Sequence, residues 1–419
     1  VRAPELDEWH GEHPVVEGEE RTAGVLGIVV IVGLVLWLGL AASWSDVAIV
    51  AAIVVMIFLH ELGHYLTAKW AGMKVTEFFL GFGPKIWSFT RGETEYGLKA
   101  IPAGAYVKII GMSNLDEVDP GDEPRTYRAK PYWRRLSVAV AGSTMHFLIA
   151  FALIMTVFLG FGTTDASSDH WTLGSVSGPA LDAGLKAGDR ILSVDGQAPG
   201  TFDQLSKRIH GRPGQAITIV VDRNGSRRTV TATLATHRPG EKAKVGFLGV
   251  SPSFDRVRSS PGAGLVDSVK TMGTTAKETF TGLGRVFSPS GVSRYVDTLT
   301  TDSKATGPSA PSNDRPTSVI GIVQVGGQVA KDGIVPVLYL LFVVNMFIGI
   351  FNLTPLLPFD GGHVVIATYE KVRSMISGRR YQADVGKLMP ITYAVVLVLV
   401  FLFVTTIYLD IFNPVNLGG

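Results

Sequence analysis

Phe58-Leu59-His60-Glu61-Leu62-Gly63-His64 ends an apolar run that opens at Val47 and continues through polar residues to about Ala71. The pattern is H-E-x-x-H. In a helix, residues four apart differ by about 40° in azimuth, so His60 and His64 share one face. Two imidazole nitrogens on that face can hold one zinc ion, and Glu61 points to the same cleft as a general base. Such residues at membrane depth are costly without partners. The plainer reading of them is polar residues at a helix end reaching for the interface.

A catalytic zinc usually takes three protein ligands and keeps one position open, so a third must come from elsewhere. A later apolar run ends in Asn352-Leu353-Thr354-Pro355-Leu356-Leu357-Pro358-Phe359-Asp360-Gly361-Gly362-His363. Asp360 is a carboxylate at a helix end, beside two glycines that allow close backbone approach. Pro355 and Pro358 break the helix, which is tolerated at membrane depth only where protein or a polar cavity covers the break. Alone, Asp360 would be an interface residue. With H-E-x-x-H on another span it is the expected third zinc ligand, and His363 is expected to be structural.

Working outward, five stretches carry the hydrophobicity: 24–42, 47–59, 138–161, 335–357 and 391–409. A bilayer core needs about 20 mainly apolar residues in a helix. Four of the five reach or approach that length, and the second is shorter. The chain is therefore expected to be a polytopic α-helical membrane protein with about five transmembrane helices, at 24–42, 46–71, 136–161, 335–362 and 389–411. Composition agrees: 419 residues, 18% charged and a mean hydropathy of +0.28. These values exclude a disordered chain. The absence of cysteine excludes disulfides, thiolate zinc sites, iron–sulfur clusters and cysteine nucleophiles. A net charge of +2 gives no nucleic-acid signal. Residues 1–23 read as an acidic tail. The run 24–42 lacks a strongly basic start but has Ala41-Ala42-Ser43, which resembles a cleavage site. A retained helix is expected there.

Lysine and arginine set the expected orientation. They crowd the stretches 72–135 and 363–388 and are absent from 162–185. The first two are expected on the cytoplasmic side, and 163–334 outside. Within the outer stretch, Ala216–Asp222 and Thr229–Leu234 alternate around Arg223-Asn224-Gly225, a hairpin signal. Upstream runs Ala183-Gly184-Leu185-Lys186-Ala187-Gly188-Asp189-Arg190-Ile191-Leu192-Ser193-Val194-Asp195-Gly196. This run resembles part of a PDZ domain, a module that binds extended peptides by strand addition. An inserted β-rich PDZ-like domain is expected over 172–252, with a short helix at Phe202–His210. Residues 253–334 are expected to hold an amphipathic helix near Pro261–Phe287 and a linker rich in Ser, Thr and Pro over 300–316. That helix could lie along the outer membrane surface or pack on the β-rich domain.

Taken together, His60-Glu61-x-x-His64 in one helix, Asn352-x-x-Pro355…Asp360-Gly361 in a later one, and a PDZ-like insert between them resemble the site-2 proteases. These are intramembrane zinc metalloproteases, and the resemblance spans about 46–415. It is strongest to the bacterial branch that processes membrane-bound anti-sigma factors. Further matching pieces are Gly81-Phe82-Gly83-Pro84 and the segment from Gly92 to Val107. The resemblance implies a membrane-dipping β-hairpin at 92–110 near the active site. The residues agree, with strand-like Thr94–Ala100 and Ala105–Ile110 around a Pro-Ala-Gly turn. An edge there, with Tyr106 and Val107, could pair with an unwound substrate.

The family pattern implies Zn2+ held by His60, His64 and Asp360, Glu61 as the catalytic base, and Asn352 and Pro355 near the substrate backbone. It implies a single-pass membrane substrate, an anti-sigma factor trimmed beforehand by another protease, cut towards the cytoplasmic side of the cell membrane. The PDZ-like domain would filter substrates by size or dock a cleaved end. Two features depart from the pattern. The helix at 24–42 is an addition, and the third span carries Gly142-x-x-x-His146 where G-x-x-x-N is common. His146 could hydrogen-bond near the centre, gate access or bond a neighbouring helix. A zinc transporter would more typically show inverted repeats, and none is found. An inactive adaptor that uses the PDZ-like domain alone would have no reason to keep His60, Glu61, His64 and Asp360 together.

Overall fold

The computed structural model describes residues 43–113, 116–164, 168–169, 171–238, 243–300 and 316–412, and four positions before them, Gly33, Leu36, Gly39 and Leu40. The rest of the expected first span, 24–42, lies outside the described residues, as do the acidic tail 1–23 and most of the 300–316 linker. The chain divides into two compact units. Met155–Ser268 forms one, and the described residues on either side form the other.

Four helical stretches among the described residues are long and apolar enough to cross a membrane: Trp44–Trp70, Tyr132–Phe161, Ile334–Asn352 and Val385–Phe412. With the β-sheets below, they give a membrane protein with an inserted β-rich unit.

In the first unit, α1 (Trp44–Trp70) starts at the N-cap Ser43, whose hydroxyl oxygen accepts from the Asp46 backbone N–H. Gly72, at φ +69°, follows its end. After α1 come two long strands, β1 (Val75–Arg91) and β2 (Thr94–Ile109), paired antiparallel around a turn at Gly92-Glu93. Here the structure corrects the expected 92–110 hairpin. Thr94–Ala100 and Ala105–Ile110 do not pair with each other around Pro-Ala-Gly. Both pair with β1: Glu77–Leu80 is flanked on one side by Ala105–Lys108 and on the other by Glu95–Leu98. The cause lies in β1. Gly81 and Gly83 take φ of +88° and +84°, which bends the strand so that its two halves flank Glu95–Leu98 from either side.

Helix α2 (Tyr132–Thr156) follows Pro131 and continues through a wider turn at Val157–Phe161. It meets α1 closely. A Cβ on Gly63 would lie 2.6 Å from Met145 Cγ and 2.9 Å from the Ala141 carbonyl oxygen. An apolar cluster of Ile49, Ile53 and Met56 with Leu341 and Val344 joins α1 to the later apolar span. A second, including Ala68, Val75, Ile109, Tyr127 and Val138, joins α1 to the sheet and α2.

The second unit has its own core, with Leu173, Leu185, Ile217, Ile219 and Val221 nearly inaccessible. A short β3 (Thr163–Thr164) precedes β4 (Trp171–Val176), α3 (Gly178–Asp182), β5 (Arg190–Val194) and α4 (Phe202–His210). The last opens with a capping box of Thr201 and Gln204. Then come β6 (Ala216–Arg223), β7 (Ser226–Thr233), β8 (Ala235–His237), β9 (Lys244–Phe247), β10 (Val250–Phe254) and β11 (Arg256–Val257). Strands β5, β6 and β7 form one sheet in that order; β4 pairs with β10, β8 with β9 and β3 with β11. The β6–β7 hairpin turns at Asn224-Gly225, both with positive φ.

Beyond β11 the described residues hold the helices α5 (Pro261–Val286), α6 (Pro289–Thr300), α7 (Val319–Val329) and α8 (Ile334–Asn352). Helix α7 was not expected within 253–334. Within the expected span 335–362 the break anticipated at Pro355 and Pro358 is present: the helix stops at Asn352, and a new helix, α9 (Asp360–Ser377), begins at Asp360. Pro355 and Pro358 lack the N–H that would carry the helix through. Most of the expected loop 363–388 is thereby helix α9, which ends at Gly378 in a left-handed conformation. Helix α10 (Met389–Phe412) closes the described chain.

Candidate metal centre

His60 and His64 lie on α1, one helical turn apart, and both are buried. Asp360 is the first residue of α9, delivered by the break after α8. The three side chains converge. His64 Nε2 is 3.2 Å from His60 Nε2 and 3.3 Å from Asp360 Oδ2. His60 Nε2 is 3.5 Å from the same Asp360 oxygen. Among the described residues this is the one group of histidines and acids whose donor atoms come together in this way.

Close glycine contacts create the space. A Cβ on Gly142 of α2 would overlap the His60 and His64 rings. At Gly362 it would lie 2.7 Å from the Leu357 nitrogen, and at Gly361 it would overlap the backbone of Leu353. The break therefore folds tightly under Asp360, and glycine is needed at both positions.

The donor chemistry fits a zinc ion. His64 Nδ1 lies 2.8 Å from the Val138 carbonyl oxygen, which can only accept. Nδ1 therefore carries the proton, and Nε2 keeps its lone pair towards Asp360. Zinc bonds of about 2.0–2.2 Å in a tetrahedron space their ligand atoms about 3.3–3.5 Å apart. The separations of 3.2, 3.3 and 3.5 Å match that spacing. Without a cation, a carboxylate oxygen would face a nitrogen lone pair in a buried place, an arrangement with a high cost.

Glu61 sits beside the group, its Oε1 3.9 Å from His60 Nε2. The backbone amide of Val107, on β2, approaches the Glu61 carboxylate. Ala105–Lys108 are matched only with Glu77–Leu80, so the opposite edge of β2 is open among the described residues. Tyr106 is otherwise engaged. Its hydroxyl donates to Glu77 Oε2 at 2.5 Å and accepts from Lys99 Nζ at 2.7 Å. Its ring stacks on Phe79. Asn352 ends α8, half-buried, and Pro355 is exposed in the break.

His146 is fully buried on α2, its ring 5.0 Å from that of His60. It does not belong to the donor group. Its Nδ1 lies 2.8 Å from Asn345 Oδ1. Asn345 is a residue the sequence reading passed over. Its amide group donates to the Leu341 carbonyl oxygen and to Met56 Sδ, so its oxygen is left to accept from His146. The signal was present as one asparagine in an otherwise apolar run. His363 lies near Tyr127, with ring centroids 6.2 Å apart.

Known proteins share this chain's sequence over most of its length. The zinc metalloprotease Rip1 of Mycolicibacterium smegmatis is 32% identical over 406 residues, covering 87% of this chain and 97% of the relative. The zinc metalloprotease Rip1 of Mycobacterium tuberculosis is 30% identical over 400 residues, covering 87% and 96%. The model of Peptidase family M50 matches residues 48–401, a range that holds both histidines, Glu61 and Asp360. The chain therefore belongs to peptidase family M50, the site-2 proteases, and is a zinc metalloprotease of the membrane.

Proposed function

We propose that this protein cuts a peptide bond within or beside the transmembrane segment of a single-pass protein, with His60, His64 and Asp360 as zinc ligands and Glu61 as the base. The observation that carries this reading is the convergence of the three donor atoms within 3.5 Å, with Glu61 adjacent. When bound, the zinc supplies a Lewis acid that polarises a carbonyl and acidifies water. Glu61 accepts the proton of the attacking water and then gives a proton to the leaving amine nitrogen. The ring of His64 is held by Val138, and Asp360 is held by the tight break, so neither must reorganise during the reaction.

A helical substrate hides its peptide bonds behind their own hydrogen bonds. The open edge of β2 around Tyr106 and Val107 offers replacement partners for an unwound segment. The Asn352 side chain has no hydrogen-bond partner among the described residues and is free to bond a substrate backbone. An apolar groove of about 1100 Å³ reaches the break through Pro355, Leu356 and Phe359, next in sequence to Asp360. Its lining suits a lipid-soluble segment.

The substrate class proposed is an anti-sigma factor trimmed first by another protease. In this reading the inserted unit is a PDZ-like domain on the extracytoplasmic side of the membrane that docks or filters the trimmed end. The stretches 72–135 and 363–388, with the metal centre, face the cytoplasm.

The test compares wild type with Glu61→Gln in detergent, using a membrane-spanning peptide and measured zinc content. Wild type is expected to cleave; the variant is expected to hold zinc and not cleave. Equal cleavage by both would remove Glu61 from the reaction. A wild type that binds no zinc would remove the metal assignment. For the substrate class, a single-pass anti-sigma factor is offered with and without its outer domain. Only the trimmed form is expected to be cut.

A further inference from the structure

An ion pair away from the metal centre joins the two helices that frame it. Arg135 Nη1 on α2 lies 2.6 Å from Glu370 Oε2 on α9, and each side chain is only about a tenth exposed. The pair is enclosed. The Arg135 guanidinium sits over the Tyr127 ring, 5.1 Å from its centroid, and the Tyr127 hydroxyl donates to the Arg135 carbonyl oxygen at 3.2 Å. Glu370 Oε1 accepts from the Ala383 backbone N–H at 2.7 Å. The edge of the same Tyr127 ring meets His363 of α9.

We propose that Arg135 and Glu370 are positioning residues that set the place of Asp360 in the metal triad. This rests on the reading of His60, His64 and Asp360 as zinc ligands. Helix α2 carries Val138, which orients His64, and Gly142, which admits both rings. Helix α9 carries Asp360 at its first position. From Arg135 to Gly142 is about 10 Å along α2, and from Asp360 to Glu370 about 15 Å along α9. The two helices are thus fastened at one end by the ion pair and meet the metal group at the other. On a 15 Å lever, a tilt of about 5° moves the Asp360 end by about 1.3 Å. Ligand constellations tolerate only about 0.5 Å. The break at 353–359 holds Asp360 from the α8 side, and the ion pair holds α9 further along its length. A buried ion pair is a poor source of net stability, since desolvation offsets its attraction. What serves a positioning role is the short, enclosed contact of 2.6 Å that ties one helix to the other.

The experiment measures zinc dissociation constants of the full chain in detergent by competition with a chelating dye. The proteins are wild type, Asp360→Asn, Glu370→Gln, Arg135→Lys and Asp410→Asn. Asp410 is a control: it is buried on α10 and accepts from the Ser318 backbone N–H, away from the metal group. Glu370→Gln is expected to raise the dissociation constant at least tenfold, in the range seen when partners of metal ligands are removed. Arg135→Lys, which keeps the charge and loses the planar guanidinium over the Tyr127 ring, is expected to raise it severalfold. Asp410→Asn is expected to leave it within twofold, although it too loosens a buried contact. A Glu370→Gln constant within twofold of wild type overturns the proposal. So does an equal rise in Asp410→Asn, which marks a general loosening. Should Glu370→Gln fail to fold, Arg135→Lys is read by the same criterion. Zinc bound by Asp360→Asn as tightly as by wild type would overturn the ligand reading itself, and the proposal with it.

Discussion

His64 Nδ1 and the Val138 carbonyl oxygen are 2.8 Å apart, and this contact fixes which nitrogen of the ring can meet a metal. The acceptor is a main-chain atom of α2, so it survives any side-chain change at position 138. The helix that orients the ring also has to leave room for it. Gly142, one turn further along α2, does so by having no side chain.

Gly142→Ala is therefore expected to abolish zinc binding. The added methyl group occupies the space of both imidazoles. Alanine is a better helix former than glycine by about 1 kcal/mol, so loss of helix cannot be the cause. Zinc content of the purified variant, with helicity from circular dichroism, checks this. Full zinc occupancy in a variant of normal helicity would show that α2 does not confine the histidines.

Asn345 and His146 form a buried pair beside that centre. Asn345→Ala leaves the His146 Nδ1–H without its acceptor, and an unpaired buried donor costs about 1–3 kcal/mol. The midpoint of thermal unfolding in detergent is expected to fall by several degrees. Replacing both residues by leucine removes both polar groups together and is expected to cost less than the two single changes added. Additive losses would mean that the pair is not coupled.

How much of this was readable from the residues differs from place to place. His60, Glu61, His64 and Asp360 stand out because each is a polar residue at the end of an apolar run. The structure brings them to within 4 Å of one another along the chain of contacts from Glu61 to Asp360. The β6–β7 hairpin was legible from Asn224-Gly225, since few other residues take that turn. The partner of Thr94–Ala100 was not. Local turn chemistry favoured a hairpin at Pro-Ala-Gly, but the strand that wins is β1, whose glycines disguise it as a loop. Helix α9 was hidden by its Gly-Gly start and by charges that read as a loop. The Arg135–Glu370 pair joins positions far apart in sequence, and nothing local marks either residue.

Val107→Pro tests the edge of β2. Proline removes the amide that approaches Glu61 and a donor from the open edge. The paired side of the strand keeps its bonds, so the sheet is expected to remain. Cleavage of a membrane-spanning peptide is expected to fall at least tenfold with zinc content unchanged. Val107→Ala, which keeps the amide, is expected to stay within a few-fold of wild type. Equal losses in both would assign the effect to the side chain.

Asp189 gives the inserted unit a pH dependence whose sign can be worked out. The Arg223 guanidinium grips its carboxylate with two bonds, Nε to Oδ1 at 2.6 Å and Nη2 to Oδ2 at 2.7 Å. The Lys186 backbone N–H donates to Oδ2 at 2.9 Å. The Arg223 bonds hold the carboxyl below the usual aspartate range in the folded unit. An unfolded chain returns it to about 3.9. In acid the unfolded state then binds more protons than the folded one, so stability falls as pH falls. The contribution is complete above about pH 5 and disappears as pH drops through the folded value. The segment 163–258 holds the unit's own apolar core. Expressed alone, it is expected to show a melting temperature flat from pH 7 to about 5 and falling below about 4. Asp189→Asn is expected to melt several degrees lower at pH 7 and to lose most of the acid slope. Parallel acid limbs in the two proteins would mean that other carboxylates govern the transition.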